Sequence, residues 1–317
     1  MKDKRFKSLE EQIDILKHKG LIINDESYAK KVLLRENYFF LNGYRHLFLR
    51  TSTGEDFLAG TTFEELYSLF LFDRSFRNII FKNVLVIENN LKSVISYQLS
   101  KKYGYKEKDY LKPKNFTNDS TKIRQVNDLI QKMKRQIRIN GSQHSATLHY
   151  MSNYGYIPLW ILVKVLSFGI VCEMVSILKK EDQVALASIY GVELDRFIMY
   201  LPMLSNYRNL CAHEDILFEN RTQKNIENTI YHSLLHIDKT DGEYIYGIND
   251  LYALIIIMKQ MLDNDDFINM IEEIKGNLRN LEYNLHTISI DKVLDRMGFP
   301  SNWEDIKNIE KRRENEE

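Results

Sequence analysis

Apolar residues recur at helical spacing along most of the 317-residue chain. Ser8 stands three residues before Glu11, the spacing of a capping box, and Leu9, Ile13 and Leu16 continue an apolar stripe towards Gly20. Asp25 opens a second helix with Tyr28, Val32 and Leu33 on one face. The aromatic cluster Tyr38, Phe39, Phe40, Tyr44 and Phe48 is expected to pack these helices onto the body, the alternative being that it stacks bases. After a turn at 51–54, Thr62 caps the longest pattern of all. Leu66, Phe70, Phe76, Ile80, Val84, Ile87, Leu91 and Ile95 recur with no Gly or Pro before Gly104, which predicts one long helix, or two nearly continuous ones, to about Tyr103. A loop over 105–120, a basic helix to about Ile139 and a break at Asn140-Gly141 follow. Pro158 opens a buried helix expected to run beyond Gly169, with Trp160 expected in the core, the alternative being a base-stacking platform. Further helices are predicted over 182–190, 194–213, 225–236, 251–262 and 267–285, with a turn at Asp241-Gly242 flanked by short extended pieces. The charged tail from Lys311 is expected to fray.

These elements make the chain all-α, and 13 Gly and 4 Pro agree with long helices rather than a turn-rich β architecture. The pattern suggests an N-terminal helical extension over 1–60, a helical body over 61–240 and a C-terminal helical segment over 241–317. The most apolar stretch, Ile157 to Cys172, is interrupted by Lys164 and is too short to span a bilayer. The start Met1-Lys-Asp-Lys-Arg5 has no apolar region of the kind a signal peptide needs. Two cysteines, Cys172 and Cys211, are too few for a disulfide framework, so a cytoplasmic setting is expected.

A net charge of zero hides an asymmetry. Residues 1–150 carry 27 basic against 17 acidic side chains, and 151–317 carry 17 against 27. Over 101–140 the ratio is 12 to 4. Lys122, Arg124, Lys132, Lys134, Arg135 and Arg138 therefore form a candidate phosphate-binding face, the alternative being a solvated basic face docked on the acidic half.

The run Arg208-Asn-Leu-Cys-Ala-His213 carries the clearest candidate chemistry. Imidazole moves protons near neutral pH, and a guanidinium forks onto phosphate. With 16 arginines and eight histidines, about 0.4 matches to this Arg–His spacing are expected by chance (16 × 8/317), so spacing alone proves little. On a straight helix Asn209 and His213 share a face, while Arg208 lies about 140° round from His213. A second copy related by a two-fold axis would let two motifs share one cleft. In such a site a ribose 2′-hydroxyl attacks the neighbouring phosphate, His213 shuttles the proton, Arg208 stabilises the developing charge and Asn209 orients the phosphate or the ring. No metal and no cofactor is called for. The bland alternative is a helix-end His and Arg satisfied by carboxylates such as Glu214.

Other constellations are weaker. Asp73 and Arg77 are spaced for an intrahelical ion pair; alternatively Arg74 or Arg77 binds RNA or lines a cleft. Glu88, on an apolar stretch, is expected to partner an Arg. His232 and His236 have metal-pair spacing without a convincing third ligand. Cys211 and His213 point to opposite sides of a helix, which argues against a Cys–His nucleophile.

Several blocks together resemble the Abi-type abortive-infection proteins of bacteria, the AbiD/AbiF-like group. They are Leu9-Glu-Glu-Gln-Ile-Asp-Ile-Leu-Lys-His-Lys-Gly-Leu-Ile-Ile23, Asn42-Gly-Tyr-Arg-His46, Leu71-Phe-Asp-Arg-Ser-Phe-Arg-Asn78, Pro158-Leu-Trp-Ile-Leu-Val163, Arg208–His213 and Met297-Gly-Phe-Pro-Ser-Asn-Trp303. The resemblance implies a HEPN-like helical bundle with a metal-independent ribonuclease motif, usually assembled across a homodimer. It implies phage defence by RNA cleavage leaving 2′,3′-cyclic phosphate ends, with an antitoxin protein or small noncoding RNA as restraint. The alternative is a silent or gated RNA-binding protein of the same fold. Glu214-Asp215 stand where many family members carry His or Arg, and two acids there repel phosphate.

Overall fold

The computed structural model describes residues 5–141 and 143–311. The charged start before Arg5 and all of the tail after Lys311 lie outside the described residues. Helix α1 (Leu9–His18) starts at a complete capping box. The Ser8 hydroxyl accepts from the Glu11 N–H, and the Glu11 carboxylate accepts from the Ser8 N–H. Asp25 caps α2 (Glu26–Glu36) by accepting from the Tyr28 N–H at 2.9 Å. Helix α3 (Tyr38–Asn42) and a 3-10 turn (Gly43–Phe48) carry the aromatic cluster. Tyr44 and Phe48 are buried as packing requires, whereas Phe39 and Phe40 are exposed.

Helix α4 (Phe63–Tyr103) is a single element of 41 residues, closed by Gly104 at φ +93°. The Glu65 N–H donates to the Thr62 hydroxyl at 3.2 Å, the cap read from the sequence. The stretch expected to be a loop contains the short α5 (Glu107–Tyr110), and α6 (Ile123–Asn140) follows as the basic helix. Residues after the break fold into α7 (Ser145–Tyr154), unforeseen because Ser-Ala-Thr-Leu-His-Tyr-Met-Ser-Asn-Tyr lacks an apolar stripe. The single helix expected after Pro158 is two, α8 (Leu159–Val165) and α9 (Phe168–Ser176). Ser167 is extended there and its hydroxyl caps α9 through the Ile170 N–H. Trp160 is not in the core but 40% exposed, because α8 turns Leu159, Ile161, Leu162 and Val163 inward.

Helices α10 (Lys180–Tyr190) and α11 (Leu194–Ala212) match their expected spans. The helix foreseen over 225–236 shrinks to α12 (Ile230–Leu234). Strands β1 (Lys239–Thr240) and β2 (Glu243–Tyr244) pair antiparallel across the Asp241-Gly242 turn. Helices α13 (Leu251–Met261), α14 (Asn264–Asn284) and α15 (Ile290–Met297) complete an all-α fold. Among the described residues no helix is long and apolar enough to cross a membrane.

The chain forms two compact units, each discontinuous in sequence. Of the described residues, the first holds 5–81, Leu210–Ile255 and Asp265–Ile309; the second holds Lys82–Asn209, Ile256–Asn264, Glu310 and Lys311. The N-terminal helices thus share a unit with the C-terminal ones. In the first unit Tyr44 stacks on Phe218 (5.7 Å between centroids), and Phe299 meets Phe76, Tyr252 and Trp303 edge-on. In the second, α6 buries Val126, Leu129, Ile130 and Met133 and packs on α7, α8 and α9.

Within the first unit, buried Glu65 ties the start of α4 to the α14–α15 connection. It accepts from the N–H groups of His286 (2.8 Å) and Thr287 (2.7 Å) and from the Thr287 hydroxyl (2.8 Å). Glu65→Ala would strand these donors. The expected loss, read from urea unfolding of the full chain, is roughly 2–4 kcal/mol; a loss below about 0.5 kcal/mol, the scale of an ordinary surface change, contradicts the assignment.

Candidate functional site

The motif helix ends in a Schellman turn. The Asp215 N–H donates to the Leu210 carbonyl at 3.2 Å, and the Glu214 N–H to the Cys211 carbonyl at 3.4 Å. Glu214 occupies the left-handed position at φ +57°, where Gly or Asn is favoured. His213 stands at the corner between helix and turn, exposed, as are Glu214 and Asp215.

A buried carboxylate holds this turn in place. Asp73, in the middle of α4, accepts from the Leu217 N–H (3.0 Å), the Phe218 N–H (2.8 Å), the Tyr44 hydroxyl (2.7 Å) and Arg77 Nη1 (2.5 Å). The same Arg77 nitrogen donates to Tyr44 Oη (3.0 Å) and to the Asp215 carbonyl (3.3 Å), two residues past the imidazole. Burial pushes the Asp73 carboxyl up from its ordinary value; the Arg77 guanidinium and the three other donors pull it down. Every neighbour donates, so the ionised form is the one this pocket accommodates. The i,i+4 pair expected between Asp73 and Arg77 therefore exists, and it also clamps the loop behind the motif.

His213 opens on a cavity of about 500 Å³ lined also by Arg35, Glu36, Phe40, Tyr44, Phe70, Arg74, Arg77 and Glu214. Two candidate RNA-contacting residues, Arg74 and Arg77, thus share a cavity with the candidate catalytic imidazole. Arg74 lies over the Phe70 ring (4.7 Å) and grips Glu36 with both terminal nitrogens, at 2.5 and 3.2 Å. The Arg74 guanidinium holds the Glu36 carboxyl below its ordinary value, with Arg35 and Tyr67 adding to the effect. Arg35 and Glu36 carry no signal of this role in the sequence. They sit at the end of α2, and nothing in their spacing points to α4 or to His213.

Arg208 and Asn209 belong to the second unit. Asn209 is exposed, like His213 four residues on, while Arg208 is half-buried. Arg208 Nε lies 3.5 Å from Glu88 Oε2, and Lys92 bonds the other Glu88 oxygen at 2.7 Å. Glu88 is thus the buried Arg partner that its apolar setting suggested, and it takes the role considered for Glu214. Burial pushes the Cys211 thiol up to about 12, and Cys172 likewise, so neither offers a thiolate near neutral pH. Buried His232 accepts from the Thr229 N–H at Nδ1 (3.0 Å) and donates from Nε2 to the Gly247 carbonyl (2.9 Å), while His236 is exposed. Among the described residues no group of three or more His, Cys, Asp or Glu is arranged around a common metal position.

The other candidate RNA-contacting residues lie in the second unit, on or beside α6. Arg124, Lys132, Lys134, Arg135 and Arg138 are exposed, and Lys122 is half-buried. Lys132 pairs with Glu173 (2.7 Å), and Lys122 donates to the Ser176 carbonyl (3.2 Å). Lys134 and Arg138 face Lys108 and Lys112 across a groove of about 630 Å³.

Asp73→Ala leaves Arg77 buried without its counter-ion and frees the 214–218 turn. Expected is a loss of about 3–5 kcal/mol in thermal or urea unfolding, against about 1–2 kcal/mol for Tyr44→Phe, which removes one donor. Equal, small losses would show that the clamp does not hold the turn.

No curated protein and no solved structure matches the chain in comparison. A family model described as Abi-like protein matches residues 31–219, which include α4, Asp73, the cavity arginines and the whole of the Arg208–His213 motif. That match spans more than half of the sequence, and the chain accordingly belongs to the Abi-like protein family.

Proposed function

We propose that the chain is a metal-independent RNA endonuclease of the HEPN type, acting in abortive infection against phage. The observation that carries this reading is the exposed imidazole of His213, at the end of α11, beside the cavity arginines Arg74 and Arg77. Arg208 and Asn209 precede it on the same helix. Membership of the Abi-like family supports the defence role.

The chemistry needs few groups. His213 takes the proton from a ribose 2′-hydroxyl, whose oxygen attacks the adjacent phosphorus. The bond to the 5′-oxygen breaks, and a protonated imidazole supplies the proton that leaves with it. The products are a 2′,3′-cyclic phosphate and a 5′-hydroxyl. A guanidinium stabilises the extra charge on the phosphorane; Arg208 is assigned to this, and Asn209 to orienting the phosphate. One imidazole cannot be base and acid in the same instant. A second copy of the motif in a homodimer supplies the other, which also answers the 140° offset between Arg208 and His213.

A second reading has an observation of its own. Arg208 faces Glu88, Arg74 is clamped by Glu36 and Arg77 by Asp73, so each of these three arginines already has a carboxylate. A gated or silent RNA-binding protein, held by an antitoxin or a small noncoding RNA, would look the same.

The test is end-labelled single-stranded RNA in EDTA. Wild type should cut it and leave cyclic phosphate ends, and His213→Ala should slow cleavage by about 10²–10⁴-fold with little change in RNA affinity. Equal cleavage by His213→Ala would contradict the assignment. Tight binding without cleavage would favour the gated reading.

A further inference from the structure

The second unit carries an aromatic surface that none of this chemistry uses. Trp160 lies 5.7 Å from Tyr105, Tyr105 5.9 Å from Tyr156, Tyr156 6.3 Å from Tyr154, and Tyr154 5.4 Å from Tyr150. The circuit closes where the Trp160 indole N–H donates to the Tyr150 hydroxyl at 3.5 Å. These rings come from three places, the segment after α4, helix α7 with the turn behind it, and the start of α8. They are not core. Tyr154 is 57% exposed, Tyr105 41% and Trp160 40%. A monomer rarely leaves so much contiguous aromatic surface to water unless something docks there.

Charge indicates what docks. Lys106 Nζ sits over the Tyr156 ring at 4.8 Å and near Tyr105 at 5.9 Å. Trp160 and Tyr150 form one wall of a cavity of about 780 Å³ whose other lining includes Lys164, Asn89, Ser96 and Lys92, the last already paired with Glu88. Helix α7, which supplies Tyr150 and Tyr154, has no charged residue at all. Protein–protein interface cores deplete lysine, whereas strand-binding surfaces set lysines beside aromatic faces, the rings taking bases and the ammonium groups the phosphates.

We propose that this surface is a stacking platform for unpaired bases, so that the nucleic acid this chain binds is single-stranded. A duplex keeps its bases stacked inside and cannot use exposed rings. The proposal deepens the RNA reading, but its readout is binding, not cleavage. Stacking needs no 2′-hydroxyl, so an uncleavable deoxy strand serves as probe.

The experiment is fluorescence anisotropy of the full chain in EDTA with a labelled oligodeoxythymidine and a matched DNA duplex. The strand should bind more tightly than the duplex and quench the emission of exposed Trp160, while Trp303 is buried. Tyr154→Ala should weaken strand binding roughly 5- to 100-fold, the effect of losing one stacked base, and Tyr154→Phe should restore it. Lys164→Gln should lower the salt slope by about 0.7. Equal affinity for duplex and strand, or a Tyr154→Ala change within twofold, would overturn the proposal. So would a Tyr154→Ala variant that turns a dimer into a monomer in light scattering with strand affinity intact, since the rings would then be a protein interface. Failure of wild type to cut RNA leaves all these outcomes readable.

Discussion

A carboxylate taken out of water is tolerated only where donors replace its hydration. Asp73 meets that condition with a phenol, a guanidinium and two consecutive backbone N–H groups, and the last pair belongs to the segment just behind His213. The long helix α4 is thus more than a scaffold. One residue of it fixes where the motif helix may stop. Arg77, one turn further on, holds the Asp215 carbonyl and prevents the strained Glu214 corner from relaxing. The exposed imidazole of His213 thus stands on a fixed corner, and on the nuclease reading that suits a group that meets a substrate proton.

The cavity beside His213 shows how buried and half-buried cations can be neutralised by carboxylates. Glu36 neutralises Arg74, Asp73 neutralises Arg77, and in the other unit Glu88 faces Arg208 and Lys92. On the nuclease reading, incoming phosphates must compete with these carboxylates. Arg74 is the easier to recruit, since a third of its side chain is exposed and Phe70 supports the guanidinium from one side. Asp73 is not displaceable in this sense, because its other three donors belong to the fold. The division separates an arginine that can change partners from one that must not.

Much of this was legible in the chain. Long periodic runs and caps gave the helices, because Ser8, Asp25 and Thr62 announce themselves locally. Arg208–His213 stood out for its residue types, and its helix-end position followed from the end of the apolar pattern. What stayed hidden was non-local or aperiodic. Helix α7 has no stripe to read, Ser167 splits a run that is apolar on both sides, and Trp160 lies among apolar neighbours yet on the outer face of α8. The Glu36–Arg74 clamp joins residues 38 apart, and Asp73 reaches Leu217 and Phe218 across 144 and 145 residues. No spacing rule connects them. The two units, each made of separated segments, were invisible for the same reason.

On the nuclease reading a ribose 2′-hydroxyl is the nucleophile and the chain's own side chains move its proton. The most direct measurement compares one RNA sequence, all-ribose or with a single 2′-deoxy nucleotide on the 5′ side of the scissile phosphate, under single-turnover conditions in EDTA. The account predicts that the all-ribose strand is cut at that phosphate to a 2′,3′-cyclic end, and that the substituted strand is spared there while cleavage elsewhere persists. Cutting of the substituted strand at the same phosphate would contradict it.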